Sequence, residues 1–118
     1  MARVVAFIPD LLFGSNVVGA LQAGGHEPVL VSDVDSVSRE LPGAQALIVD
    51  LTADARVRLE QLEGVLGEGL PSLAFYSHVE ADVRRQAEGA GFHLVVPRSR
   101  MAREGASLVA RLIGPEPG

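Results

Sequence analysis

Five short apolar runs recur along the chain: Val4 to Ile8, Val29 to Val31, Ala46 to Val49, Leu73 to Tyr76 and Leu94 to Val96. Each is continuous rather than alternating in polarity, which is how strands read when both of their faces are buried. Each is followed by a segment that can be helical. Parallel strands need crossover connections of a dozen or more residues, and the spacing between runs supplies them. Aromatics make up only 4% of the residues against 47% apolar overall, so Val, Leu, Ile and Ala must fill the interior.

The connecting segments carry the period of a helix with one apolar face. Phe13, Val17 and Leu21 recur at i, i+4 and i+8, with Val18 widening the stripe, and Leu59, Leu62 and Leu66 form a like stripe at i, i+3 and i+7 after the third run. Val83 and Ala87 mark a thinner stripe between Asp82 and Gly89. Met101, Leu108, Val109 and Leu112 share a side of the last segment. The second segment, Asp35 to Leu41, allows only about two turns. Gly24-Gly25, Pro42-Gly43, Gly67 with Gly69, and Gly89 with Gly91 stand where helices should end and strands begin. Five βα units in succession predict a doubly wound α/β sandwich of flavodoxin-like type, with a five-stranded parallel sheet in the order 2-1-3-4-5. One domain over residues 1–113 accounts for the pattern, and the Pro-containing tail 114–118 is expected to be frayed.

Charge narrows the functional classes. The formal net charge is −5, which gives no general attraction to nucleic acid or anionic membrane. The chain contains no Cys, and all ten basic residues are Arg. Disulfides, thiolate chemistry, lysine Schiff bases and a P-loop are therefore excluded. The apolar run near Met1 is too short to span a bilayer, so the expectation is a cytoplasmic protein.

In a sheet of this order, ligands gather outside the carboxyl ends of the strands, near the switch between strands 1 and 3. The residues there are Pro9-Asp10, Asp50-Leu51-Thr52, Ser77-His78 and Pro97-Arg98-Ser99-Arg100. Their order and spacing resemble the receiver domain of response regulators, and the resemblance covers essentially the whole chain. It implies that Asp10 is an acidic ligand for Mg²⁺, with Asp50 beside it. It further implies that Asp50 is the phosphoacceptor equivalent, Ser77 the hydroxyl switch and Pro97 the proline after strand 5. Two departures stand out. Val96 occupies the place of the family's lysine, and Pro9 leaves Asp10 without a second acid. A fixed cation balancing the phosphoryl oxygens is worth a few kcal/mol in such chemistry. The chain thus resembles a pseudo-receiver, a receiver with an incomplete phosphorylation site.

Every residue singled out has a structural alternative. Asp50 could cap the turn after its strand, and Asp10 could face the dipole of the first helix. Ser77 and Glu80 have capping-box spacing. His78 could serve as a base or ligand but has no second His at metal-like spacing. His26 and His93 fall at the opposite edge of the sheet and read as structural. Arg98 could form a fork with Asp50 or Asp10, or belong with Arg100 and Arg103 to a solvated helix start.

Three functions compete. The first is a module without enzymatic activity that binds a signalling or regulatory protein, or a second copy of itself, through the face of helix 4, strand 5 and helix 5. The second is a phosphorylatable response regulator of a bacterial two-component system, with Asp50 as acceptor and Arg98 in place of lysine. The third, a cofactor-binding or catalytic α/β protein, lacks a dinucleotide Gly pattern and a nucleophile elbow. Direct DNA binding has no helix-turn-helix to carry it.

Overall fold

A computed structural model describes residues 2–66, 69–77 and 81–114. Its elements alternate without exception: β1 (Arg3–Phe7), α1 (Leu11–Ala23), β2 (Glu27–Val31), α2 (Val34–Glu40), β3 (Ala46–Asp50), α3 (Ala55–Gln61), β4 (Ser72–Tyr76), α4 (Ala81–Ala90), β5 (Leu94–Pro97) and α5 (Arg98–Ile113). All strand pairings are parallel and the order is β2-β1-β3-β4-β5, as the sequence predicts. Among the described residues, no helix is long and apolar enough to cross a membrane.

Burial explains why the strands read as continuous apolar runs. Every residue of β3 and β4 is buried, because side chains on alternate faces enter different cores. One core joins Val4, Ala6, Ile8, Ile48, Leu73 and Phe75 to Phe13, Val17 and Leu21 of α1 and to Met101, Leu108 and Val109 of α5. The other joins Val5, Phe7, Leu47, Val49, Ala74 and Tyr76 to α2, α3 and α4 through Val37, Ala55, Leu62, Val83 and Ala87. At the outer strand β2, Pro28 sits within the strand, where an edge tolerates a residue without an N–H.

Helix ends differ in detail from the sequence reading. Gly25, Gly43, Gly69 and Gly91 all take positive φ and turn the chain back toward the sheet. Gly89 is the second-last residue of α4, and Gly91 just beyond it takes the positive φ, so the pair marks the helix end as the sequence suggests. The Leu59, Leu62, Leu66 stripe suggests a helix to residue 66, yet α3 stops at Gln61. The N–H of Val65 and that of Leu66 both donate to the Leu62 carbonyl, a tightened turn in place of a further helical one. Gly67, His78, Glu80 and the tail residues 115–118 lie outside the described residues, and with them the expected Ser77–Glu80 capping box and frayed end.

At the amino edge of the sheet, two histidines hold elements together. The Ser72 N–H donates to Nδ1 of His93 at 3.1 Å, tying the start of β4 to the residue preceding β5. The Nε2 of His26 stands 3.4 Å from the Ala106 carbonyl of α5. Close by, α1 ends against α5 at Gly24, where an added Cβ would lie 2.7 Å from the Ala106 Cβ.

Two stability predictions follow from these contacts. Gly24→Ala should cost about 1–3 kcal/mol from overpacking against a rigid neighbour, more than the gain from a stiffer unfolded chain. Gly19→Ala, with nothing within 4 Å of the added atom, should instead stabilise by up to about 1 kcal/mol. Urea melts of the pair test this, and equal shifts would refute the close contact. Asp33 caps α2, with the Ser36 N–H donating to Oδ1 at 2.7 Å. Mainly through that bond, helped by the Ser36 side chain and Arg39, its carboxyl is held below its ordinary value. A carboxyl depressed in the folded state stabilises above its unfolded pKa, and the contribution is lost as pH falls through the folded one. The Tm gap between wild type and Asp33→Ala should therefore narrow on acidification below about pH 4; a gap independent of pH would argue against the cap.

Candidate functional site

The carboxyl edge of the sheet brings Asp10, Asp50, Ser77, Pro97 and Arg98 to the strand ends, but each is engaged differently. Asp50 closes β3 and is only 3% exposed. Its Oδ1 accepts from the Thr52 N–H at 2.8 Å and from the Thr52 hydroxyl at 2.5 Å, a turn built by the residue two places on. Leu51, between them, points into the core and is fully buried. Asp54 then takes a left-handed conformation, φ 50°, which Asp tolerates better than most residues. It starts α3 without a side-chain cap.

That turn sets the first residues of α3 so that Arg58 reaches back over the strand end. Its Nη1 donates to the Asp50 carbonyl at 2.6 Å and stands 3.8 Å from Asp50 Oδ1. Both side chains are nearly enclosed, 12% and 4% exposed. The guanidinium also lies 5.7 Å from the centre of the Phe7 ring. Asp50 thus carries its own counter-ion, supplied eight residues later.

Asp10 is exposed and serves α1. Its Oδ1 accepts from the N–H groups of Leu12 and Phe13 at 3.0 and 3.1 Å. These two bonds satisfy orphan donors of the first turn. Arg98, at the first turn of α5, places Nη2 3.8 Å from Asp10 Oδ2 and lies over the Phe13 ring at 4.3 Å from its centre. Arg98 thus forms no fork with either acid: it makes a half-exposed 3.8 Å contact with Asp10 without a hydrogen bond, between the paired and the solvated readings of the sequence. Pro97 is the residue before α5 and contributes no side-chain cap. Val96 is buried in the α1–α5 core, 2% exposed, where a charged side chain would be costly. Ser77 is partly buried after β4, and His78 lies outside the described residues.

The donor set fits a divalent cation poorly. Among the described residues, no three His, Cys, Asp or Glu side chains gather as a metal site. The two carboxylates that the sequence offers for Mg²⁺ each face a guanidinium, and Asp10 already spends an oxygen on two backbone donors. A hollow of about 330 Å³ opens beside them between Phe7, Pro9, Asp33, Asp54 and Arg58, but neither Asp10 nor Asp50 lines it.

No family model matches the sequence, and no curated protein matches it. Solved structures do. A response regulator receiver protein from Burkholderia phymatum superposes with a TM-score of 0.81 at 18% identity, over 97% of this chain and 96% of that one. A CheY-like protein, tadZ, from Pseudomonas aeruginosa gives 0.79 at 18% identity over 100% and 98%. An atypical orphan response regulator, described as working by a phosphorylation-independent mechanism, gives 0.70 at 11% identity over 94% of each chain. The fold is that of a response-regulator receiver domain.

Within this receiver fold, Arg58 is the site residue that strand-end reasoning passes over. It lies on a helix, eight residues from the carboxylate it meets. A signal was present nonetheless: Arg58 stands three after Ala55 and four before Leu62, on the face of α3 that those two buried residues define. A cation at a core-facing position needs a buried partner.

Removing the charge of Arg58 should therefore cost more than removing that of Asp50. Stripping one partner from a buried pair typically costs about 3–5 kcal/mol, and Arg58→Met leaves the more deeply buried charge behind. Asp50→Asn keeps an acceptor for Thr52 and should cost less. The double variant should recover part of the Arg58→Met loss, with a coupling of about 1–3 kcal/mol in a denaturation cycle. Simple additivity would show that the two groups do not interact.

Proposed function

We propose that this receiver-like domain is a signalling module that binds a protein partner and is not switched by phosphorylation of Asp50. The observation that carries the reading is Arg58 on Asp50. Phosphoryl transfer to a carboxylate needs an accessible oxygen and fixed positive charge on the incoming phosphoryl group. Here the guanidinium is bonded to the Asp50 main chain and stands 3.8 Å from Oδ1, the same oxygen accepts from Thr52, the residue is only 3% exposed, and a valine fills the place of the family's lysine.

Charge bookkeeping points the same way. A phosphorylatable pocket gains negative charge and a metal together, whereas this one is neutralised within the chain. The alternative, with Asp50 as acceptor and Arg98 in place of lysine, would need Arg98 at Asp50, and its guanidinium stands at Asp10 and Phe13. The structural similarity to an atypical orphan regulator with a phosphorylation-independent mechanism adds support of kind, not of detail. On this reading the protein has no enzymatic activity, acts in the cytoplasm, and passes its signal by occupying another protein or a second copy of itself.

Incubation with acetyl phosphate and Mg²⁺, followed by intact-mass measurement, tests the proposal. No phosphoryl mass should appear on the wild type, and beryllofluoride with Mg²⁺ should leave its amide spectrum unchanged. A phosphoryl adduct on wild type that Asp50→Asn abolishes would overturn it.

A further inference from the structure

The resemblance to receiver domains points to the face of α4, β5 and α5 as the surface that meets a partner, where the Ala and Val content between Asp82 and Ala90 would permit close packing. The fold spends those residues internally. Val83 and Ala87 are buried against β4 and its neighbours, 8% and 0% exposed. The outer face of α4 is left to Arg84, paired with Glu88, and Arg85, paired with Asp82. A concave surface of α4 lies on the side that looks toward α3.

There the two helices part. A groove of about 570 Å³ runs between them, lined by Leu59, Glu60, Glu63 and Leu66 on one bank and Gln86, Gly89 and Ala90 on the other. Its volume falls within the range of formed ligand sites. Leu59, Leu66 and Ala90 are only partly buried and form an apolar floor continuous with the core. Gly89 opens the α4 bank: an added Cβ there would meet nothing within 4 Å. In the last turn of α4, it exposes helix backbone to the groove.

The α3 bank is acidic. Glu60 makes only an exposed i,i+4 contact with Arg56 at 3.5 Å, and no ion pair among the described residues involves Glu63. Among the described residues that line the groove none is basic, the nearest named cation being the exposed Arg56 on Glu60, in a chain of net charge −5. An apolar floor beside one acidic rim is complementary to a helix with an apolar stripe flanked by Lys or Arg.

We infer that the α3–α4 groove is the docking site for a basic amphipathic helix of a partner protein, seated with apolar side chains over Leu59, Leu66 and Gly89 and its cations against Glu60 and Glu63. This rests on the reading of the domain as a binding module, and names the surface and the chemistry of what it binds.

The test uses the whole chain and a synthetic 14-residue probe with Leu at helical i, i+3, i+4 spacing and Lys elsewhere, against a control with Glu for Lys. Fluorescence anisotropy should show saturable binding of the Leu–Lys probe and none of the Leu–Glu control. Amide shifts should cluster on Leu59, Glu63, Leu66, Gly89 and Ala90. Gly89→Leu fills the groove without changing charge and favours the helix, so it should fold at least as well and weaken binding tenfold or more. Glu60→Gln with Glu63→Gln should weaken it comparably and flatten its salt dependence. Undiminished binding to Gly89→Leu, shifts centred elsewhere, or no binding to wild type would each overturn the inference. None of these bears on Asp50, whose silence toward acetyl phosphate is measured separately. A failed groove with a silent Asp50 therefore leaves the module reading intact, and a phosphorylated Asp50 undoes that reading whatever the probe does.

Discussion

A strand buried along its whole length cannot end in a carboxylate unless the chain also provides for the charge. β3 is such a strand, running from Ala46 to Asp50 without an exposed residue. Thr52 and Arg58 are what the fold supplies. The turn that lets Thr52 bond Asp50 also sends Leu51 inward and fixes Asp54 in its left-handed conformation. That conformation sets where α3 starts, and so where Arg58 arrives. The ion pair, the buried turn and the course of α3 are one arrangement, and the second core packs beneath it through Ala55 and Leu62.

The consequence for chemistry is a division of labour between two arginines. Arg58 meets the buried acid from a helix face, while Arg98 meets the exposed acid from a helix start and lies over Phe13. Buried and exposed pairs differ in worth: the first is expensive to break on one side, the second contributes little. The rigid part of this edge is therefore centred on β3, and the Asp10–Arg98 contact is peripheral to it.

Most of the fold was legible because doubly buried parallel strands leave unbroken apolar runs, and because the turns back to the sheet need positive φ. Gly25, Gly43, Gly69 and Gly91 mark those turns directly in the sequence. Misreadings arose where one residue type serves two purposes. Gly89 marks a helix end and also leaves a gap in a helix bank; Leu66 looks like the last residue of a stripe and belongs to a turn tightened after Leu62. The site was half legible. Strand-end residues could be placed by order alone, but Arg58 comes from an element whose rotation about its axis depends on the preceding turn, and a stripe drawn through the leucines conceals it. The place of Arg98 was undecided in sequence because both acids end neighbouring strands and a solvated helix start was equally open; its position over Phe13 puts it on the Asp10 side.

A pocket that contains its own cation has no empty form. In proteins whose charge balance is completed from outside, copies differ from moment to moment according to what has reached them. If Asp50 takes no phosphoryl group, as proposed, every folded copy carries the same charge at this edge from the end of synthesis onward. Under the reading proposed for this domain, information cannot be stored in its chemical state. It must be carried by amount: how many copies are made, how long they last, and how strongly others compete for the same partner.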